Sequence, residues 1–139
     1  MATYNKFQNW VEEMADGNVN CSSDSFVVAL TATANAPVAT NTALANLTEI
    51  AYTNLSSRSL TTSTHAESGG TFTLLFADLV LSASGGSVAA FQYVVIYDDT
   101  PTTPTADPLM CWYDYGSSLT LADGESLTID FTTSTWTLT

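Results

Sequence analysis

The chain has 139 residues, 45% of them hydrophobic, and a net charge of −12 from 14 acids set against Lys6 and Arg58. That length is one domain, residues 1–139, with enough material for a core of its own. Two strong bases cannot displace counterions from a phosphate backbone, so nucleic-acid binding is excluded, and an anionic membrane surface would repel the chain.

Charged residues are 12% of the total, roughly half the usual share. Serine, threonine and asparagine supply the polarity instead, which suits strands because threonine is β-branched. The acidity fits two uses: solubility, or a face that docks on a basic partner.

Residues 4–15 carry Tyr4, Phe7, Trp10, Val11 and Met14 at spacings of three and four. This pattern predicts a short amphipathic helix, capped by Thr3 and stopped by a left-handed Gly17. Glu12, Glu13 and Asp16 lie at the wrong end of such a helix for its dipole, so tertiary contact must hold it. Its aromatic stripe would cover an edge of the β-domain or dock on a neighbouring subunit.

Residues 25–31 alternate as a first strand. Residues 32–45 form a long, small-residue loop that could lie flat along a neighbour, or serve as an ordinary crossover. Residues 47–53 read as a second strand, 56–68 as an extended Ser/Thr-rich segment and Gly69-Gly70 as a turn. Residues 71–81 read as one long strand. A tight turn at 84–87 would join it, as a hairpin, to a strand over 88–97. There Phe91, Tyr93, Val95 and Tyr97 alternate with Gln92, Val94 and Ile96, apolar on both sides, which predicts a central strand covered on both faces. Asp98-Asp99-Thr100-Pro101 ends it. After a proline loop, residues 109–113 resume an extended pattern, with Trp112 and Tyr113 on opposite faces. Residues 119–121 and 126–131 flank Asp123-Gly124, a favoured hairpin turn. Residues 133–138 form the last strand. The sum is an all-β, antiparallel β-sandwich or jelly roll of about eight strands over residues 25–139, preceded by one short helix within 1–17.

No chemistry-bearing constellation emerges. His65 is the single histidine, in a Ser/Thr-rich stretch. GxSxG, HExxH and P-loop patterns are missing, so no enzyme activity and no cofactor are expected. Asp114, Glu125 and Asp130 fall on or near strands with no spacing that sets two carboxyls across a cleft. Asp98, Asp99 and Asp107 flank the proline loop as oxygen donors, but without an EF-hand pattern they read as a solvated turn and no metal site is expected. Cys21 and Cys111 are two thiols or a single bridge; without CxxC or a histidine partner they do not suggest zinc. The first residues lack a basic region followed by an apolar run, so no secretory leader is expected, and no stretch of about 18 apolar residues would span a membrane.

The wording FxYxVxYDDTP from Phe91, then ADPL, then WxDYGSSxTLADGExxxxDF ending at Phe131, resembles a family of small structural proteins encoded by tailed bacteriophages. YNKFQNWVEEMADG, DSFVVALT, NAPVA and LANLTEI extend the resemblance over most of the chain. Small β-rich proteins of this kind look like capsid decoration, or cement, proteins. The resemblance implies a virion component on the capsid exterior, made in the host bacterial cytoplasm. Its partner would be the major capsid protein, and it would act as a homo-oligomer, a trimer above all, that clamps capsid subunits. The candidate contact elements are the helix and the loops 33–45 and 100–108, with Tyr4, Phe7, Trp10, Pro37, Val38, Leu44, Pro101, Pro104, Trp112 and Tyr115 as candidate contact residues. A phage tail or fibre component is the alternative. A carbohydrate-binding module using Trp112 or Tyr115 is the third reading.

Overall fold

The computed structural model describes residues 2–132 and 134–139. Strand accounts for 43% of it and helix for 9%, and the sheets are antiparallel, so the chain is all-β. The described residues form β1 (Thr3–Lys6), a six-residue helix α1 (Trp10–Ala15), β2 (Phe26–Thr31), β3 (Thr62–Ser68), β4 (Thr71–Phe76), β5 (Leu79–Ser82), β6 (Phe91–Asp98), β7 (Leu109–Leu119), β8 (Ser126–Ile129) and β9 (Trp136–Leu138). They make three sheets, in the orders β1-β7-β6-β2, β3-β4-β9 and β5-β8.

β6 is the central strand, as its two-sided apolar pattern predicts. Val94 and Ile96 enter the main core with Phe26, Val28 and Leu30 of β2, Leu74 and Phe76 of β4, Leu81 of β5, Trp136 of β9 and Trp10 of α1. Val95 and Tyr97 face the other way, against Phe7, Ala29, Leu109 and Trp112. The loop over residues 32–45 covers this second face through Ala39 and Leu44, joined by Leu47 just beyond it. Two short 3-10 turns, Thr33–Asn35 and Leu44–Asn46, shape that loop.

Two irregularities in the β6–β7 ladder re-aim side chains. From Ile96 to Tyr97 the partner moves two residues, from Cys111 to Leu109, so Met110 is the extra residue of a bulge. Met110 and Cys111 consequently both enter the main core. From Phe91 to Tyr93, a step of two, the partner moves five, from Leu119 to Asp114. Phe91 thereby joins the Val94 and Ile96 face, not the Tyr93 face that strict alternation assigns. Gln92 is buried at this irregularity, where its side chain bonds Thr33 Oγ1 at 2.8 Å and Asp114 Oδ1 at 2.9 Å.

Several expected elements differ. The helix over 4–15 is replaced by β1 and the shorter α1, because the backbone of residues 3–6 pairs with residues 111–114 of β7. Thr3 therefore sits in a strand and caps no helix. Glu12 and Glu13 lie in the first turn of α1, the favourable end for acids. Gly17 does stop the helix with φ +73°. Residues 47–53 are not a strand; they hold the edge of β2 by single bonds such as Ile50 N to Leu30 O at 2.9 Å. The long strand over 71–81 breaks at Ala77-Asp78. There Ala77 N binds Thr61 O and Asp78 Oδ1 accepts from Phe131 N at 2.9 Å, so β4 and β5 go to different sheets. β5 pairs with β8, not with β6, and the 84–87 turn makes no hairpin. The Ala122–Glu125 turn forms, but β8 crosses to β5 while Leu121 O accepts from Val88 N. Of the last expected strand, Trp136–Leu138 is β9; Thr133 lies outside the described residues.

Trp10 shows how α1 is held. It is fully buried, and its ring meets Phe26 and Trp136 edge-on at 6.4 and 6.2 Å. Its indole N–H has no partner among the described residues, a cost that packing must outweigh. Trp10→Ala is expected to cost about 3–5 kcal/mol in chemical denaturation. Trp10→Phe, which also removes the orphan donor, is expected to cost less than about 2 kcal/mol.

Candidate functional site

Each candidate contact residue has a definite place. Phe7, Trp10, Pro37, Pro101 and Trp112 are buried within the chain, so their apolar surface is already in use. Trp112 packs on Phe7 at 4.5 Å between centroids. Leu44 is half-buried over the second face of the sheet. Val38, Pro104, Tyr4 and Tyr115 are exposed, and the Thr103–Pro104 bond is cis. Of the ten, Tyr4 and Tyr115 line neighbouring hollows on one side of the fold.

That side is where sheets end. β1 is the outermost strand of its sheet and β9 of its own. Between them lies a hollow of about 460 Å³ lined by Tyr4, Lys6, Tyr113, Thr135 and Trp136. A second, narrower and mostly apolar hollow of about 190 Å³ lies between Phe91, Val94, Tyr113 and Tyr115 on one side and Leu127 and Ile129 on the other. Tyr113 borders both hollows, and its ring meets Tyr4 edge-on at 5.5 Å and Phe131 at 6.3 Å. Burial pushes its phenol above the usual range, so it stays a neutral donor at every ordinary pH.

Sequence reasoning missed Tyr113. The signal was there: Trp112 and Tyr113 face opposite ways, and the covered face took Trp112. The contributions of Leu127, Ile129 and Trp136 had no local signal, because they arrive through strand pairings distant in sequence.

Lys6, on β1, is exposed at the rim of the larger hollow. Arg58 is engaged inside the fold: it lies 3.7 Å over the Tyr52 ring, 3.7 Å from Glu49, and donates to Val28 O. His65 sits exposed on β3, edge-on to Phe72. Among the described residues, no group of three or more His, Cys, Asp or Glu side chains could hold a metal ion, and no helix is long and apolar enough to cross a membrane. No protein-family model, no curated protein and no solved structure matches the chain. The arrangement combines aromatic side chains, open strand edges and shallow concavities, features that protein-binding surfaces share.

Cys21 and Cys111 are free, buried thiols. Burial pushes the Cys21 thiol up to about 11 and holds Cys111 above its ordinary value. Since the thiolate is the reactive form, neither is expected to be labelled by a maleimide at pH 6 in the folded protein, whereas a denatured control labels at both. Mass spectrometry of the quenched reaction reads this directly.

Proposed function

We propose that this protein is a capsid decoration (cement) protein that binds the outer surface of a tailed-phage head and stabilises the mature shell. The reading rests on the sequence resemblance, which runs from the N-terminal aromatic segment to Phe131. The structural observation that supports it is the crevice made by the two adjoining hollows that share Tyr113, where Tyr4 on the edge strand β1 lines the one toward β9, Tyr115 on β7 lines the one toward β8, and both stand about half exposed. Tyrosines of this kind anchor protein interfaces, because they offer large contact area at little entropic cost.

In this reading the three sheets make an open β-sandwich of jelly-roll type, with β1-β7-β6-β2 as one layer and the two smaller sheets as the other. The protein acts as a homotrimer at local threefold positions, where it meets the major capsid protein. Many weak contacts on one lattice add by multivalency. Binding the mature lattice and not its precursor stabilises that lattice by mass action. The glycan reading is weakened by the burial of Trp112, which leaves Tyr115 without a second exposed tryptophan or tyrosine on its own strand.

Co-sedimentation with expanded capsids that lack the protein tests the proposal. The expected result is saturation at hundreds of copies in a fixed ratio to capsid subunits. Tyr4→Ala with Tyr115→Ala is expected to weaken binding at least tenfold, from losses of about 1–2 kcal/mol per anchor, with folding stability changed by less than about 1 kcal/mol. Absence of shell binding would overturn the proposal and direct the search to isolated tails.

A further inference from the structure

The end of β6 holds a carboxyl group in an unusual position. Asp98 is fully buried. Its Oδ1 accepts from Thr100 N at 3.0 Å, but its Oδ2 is buried with no hydrogen-bond partner of good geometry among the described residues. An ionised carboxylate left in that state is costly. The side chains within reach of the carboxyl are the Thr100 hydroxyl and Asp24, itself an acid.

Asp24 belongs to a turn folded over this end of the sheet. Its backbone N binds Asn20 O at 2.9 Å, and its Oδ2 accepts from Asn20 N at 2.6 Å. The segment continues onto β6's exit: Ser25 N binds Thr100 Oγ1 at 2.8 Å and Asp99 N binds Ser25 O at 2.8 Å. Cys21, on the same turn, is buried. Around Asp98, β2 contributes apolar Phe26, the register partner. The strand β7 side contributes the Pro108 carbonyl, which accepts from Asp98 N at 3.0 Å. The following loop contributes Thr100 and the exposed Asp99. Among the described residues no cation faces the pair. Arg58 acts on Tyr97, which points to the other face of β6, and Lys6 is on β1.

We propose that Asp24 and Asp98 share one proton, and that this carboxyl pair is a pH-sensitive latch holding residues 19–25 on the end of β6. In the closed state the protonated Asp98 Oδ2 donates to the Asp24 carboxylate, which satisfies both groups. When the proton leaves to solvent, a fully buried carboxylate faces a half-buried one, and the turn is repelled from the strand. The latch stands apart from the crevice and does not depend on the virion reading.

The sign follows from linkage. Burial first, then Asp24, pushes Asp98 from 3.8 up to about 7. Between these values the folded chain keeps a proton that the unfolded chain releases, so stability falls as pH rises through this window and is level with respect to this group above it.

The test is a carbon-13 NMR titration of the Asp98 carboxyl, together with thermal melts at pH 5 and pH 8. The expected result is an Asp98 midpoint two or more pH units above that of an exposed aspartate, and a wild-type melting temperature lower at pH 8 by on the order of 5 °C. Asp98→Asn keeps a donor toward Asp24 at every pH, so its melting temperature is expected to depend less on pH. An Asp98 midpoint in the ordinary carboxylate range would overturn the latch, and so would equal pH slopes for the two proteins. A melting temperature at pH 8 that rises with millimolar calcium in wild type and not in Asp98→Asn would also overturn it, by making the pair a cation site. If Asp98→Asn does not fold, the wild-type titration decides alone.

Discussion

A strand buried on both faces needs two covers, and the rest of this chain is arranged to supply them. β6 has Val94 and Ile96 on one side and Val95 and Tyr97 on the other, all of them buried. One cover is a pair of small sheets, β3-β4-β9 and β5-β8, which bring Leu74, Phe76, Leu81 and Trp136 to the main core. The other is not a sheet. It is the loop from residue 32 to residue 47 with Phe7, laid over Val95, Tyr97 and Trp112. A loop can serve there because its polar backbone finds partners: Asn46 Oδ1 accepts from Thr42 N and Ala43 N at 2.9 and 3.1 Å, and Leu109 N binds Thr42 O at 3.0 Å. Small side chains allow this close approach, so the long low-charge stretch covers the sheet.

The two edges of the main sheet are treated differently, and that asymmetry creates the crevice. The β2 edge is sealed. Arg58 O and Phe26 O take part in ladder-like bonds with Val28 N and Leu60 N at 3.0 and 2.9 Å. Tyr52, Glu49 and Arg58 lock that segment in place. Tyr52 OH accepts from Leu30 N at 2.9 Å and donates to Glu49, while the guanidinium stacks on the Tyr52 ring. A cation–π contact and a charge-assisted bond in a half-buried place are each stronger than their exposed counterparts. Among the described residues the β1 edge has no such seal. An exposed edge is a liability unless short, charged or engaged by a partner. β1 is four residues long and carries Lys6.

The period-two signal was legible wherever a strand is covered on both faces, hence β2, β6 and the start of β7. Turns with a local cause were legible too: Gly17, Gly69-Gly70 and the Ala122–Glu125 turn. Pairing was not. The Tyr4–Met14 stripe has helical spacing, yet the free edge of β7 captures its first residues, a competitor the sequence does not display. The break at Ala77-Asp78 depends on Asp78 reaching Phe131, 53 residues away. The crevice follows from those pairings, so two of its tyrosines could be named in advance but its shape could not.

The acids look, from the sequence, like either a solubility device or a docking face, and the hydrogen bonds point to a third role. Seven of the 14 carboxylates accept a backbone N–H: Asp24, Glu67, Asp78, Asp98, Asp114, Asp123 and Glu125. Glu13 is buried and accepts from the amides of Asn9 and Asn18, which ties α1 to the turn after it. In a chain with few cations, carboxylates are the strongest acceptors available for turn N–H groups, so a loop-rich β protein accumulates negative charge simply by closing its turns. The acids are therefore spread around many turns and do not make a single charged face. In the proposed reading, recognition at one place would fall to shape and aromatic contact, which the crevice beside β1 offers.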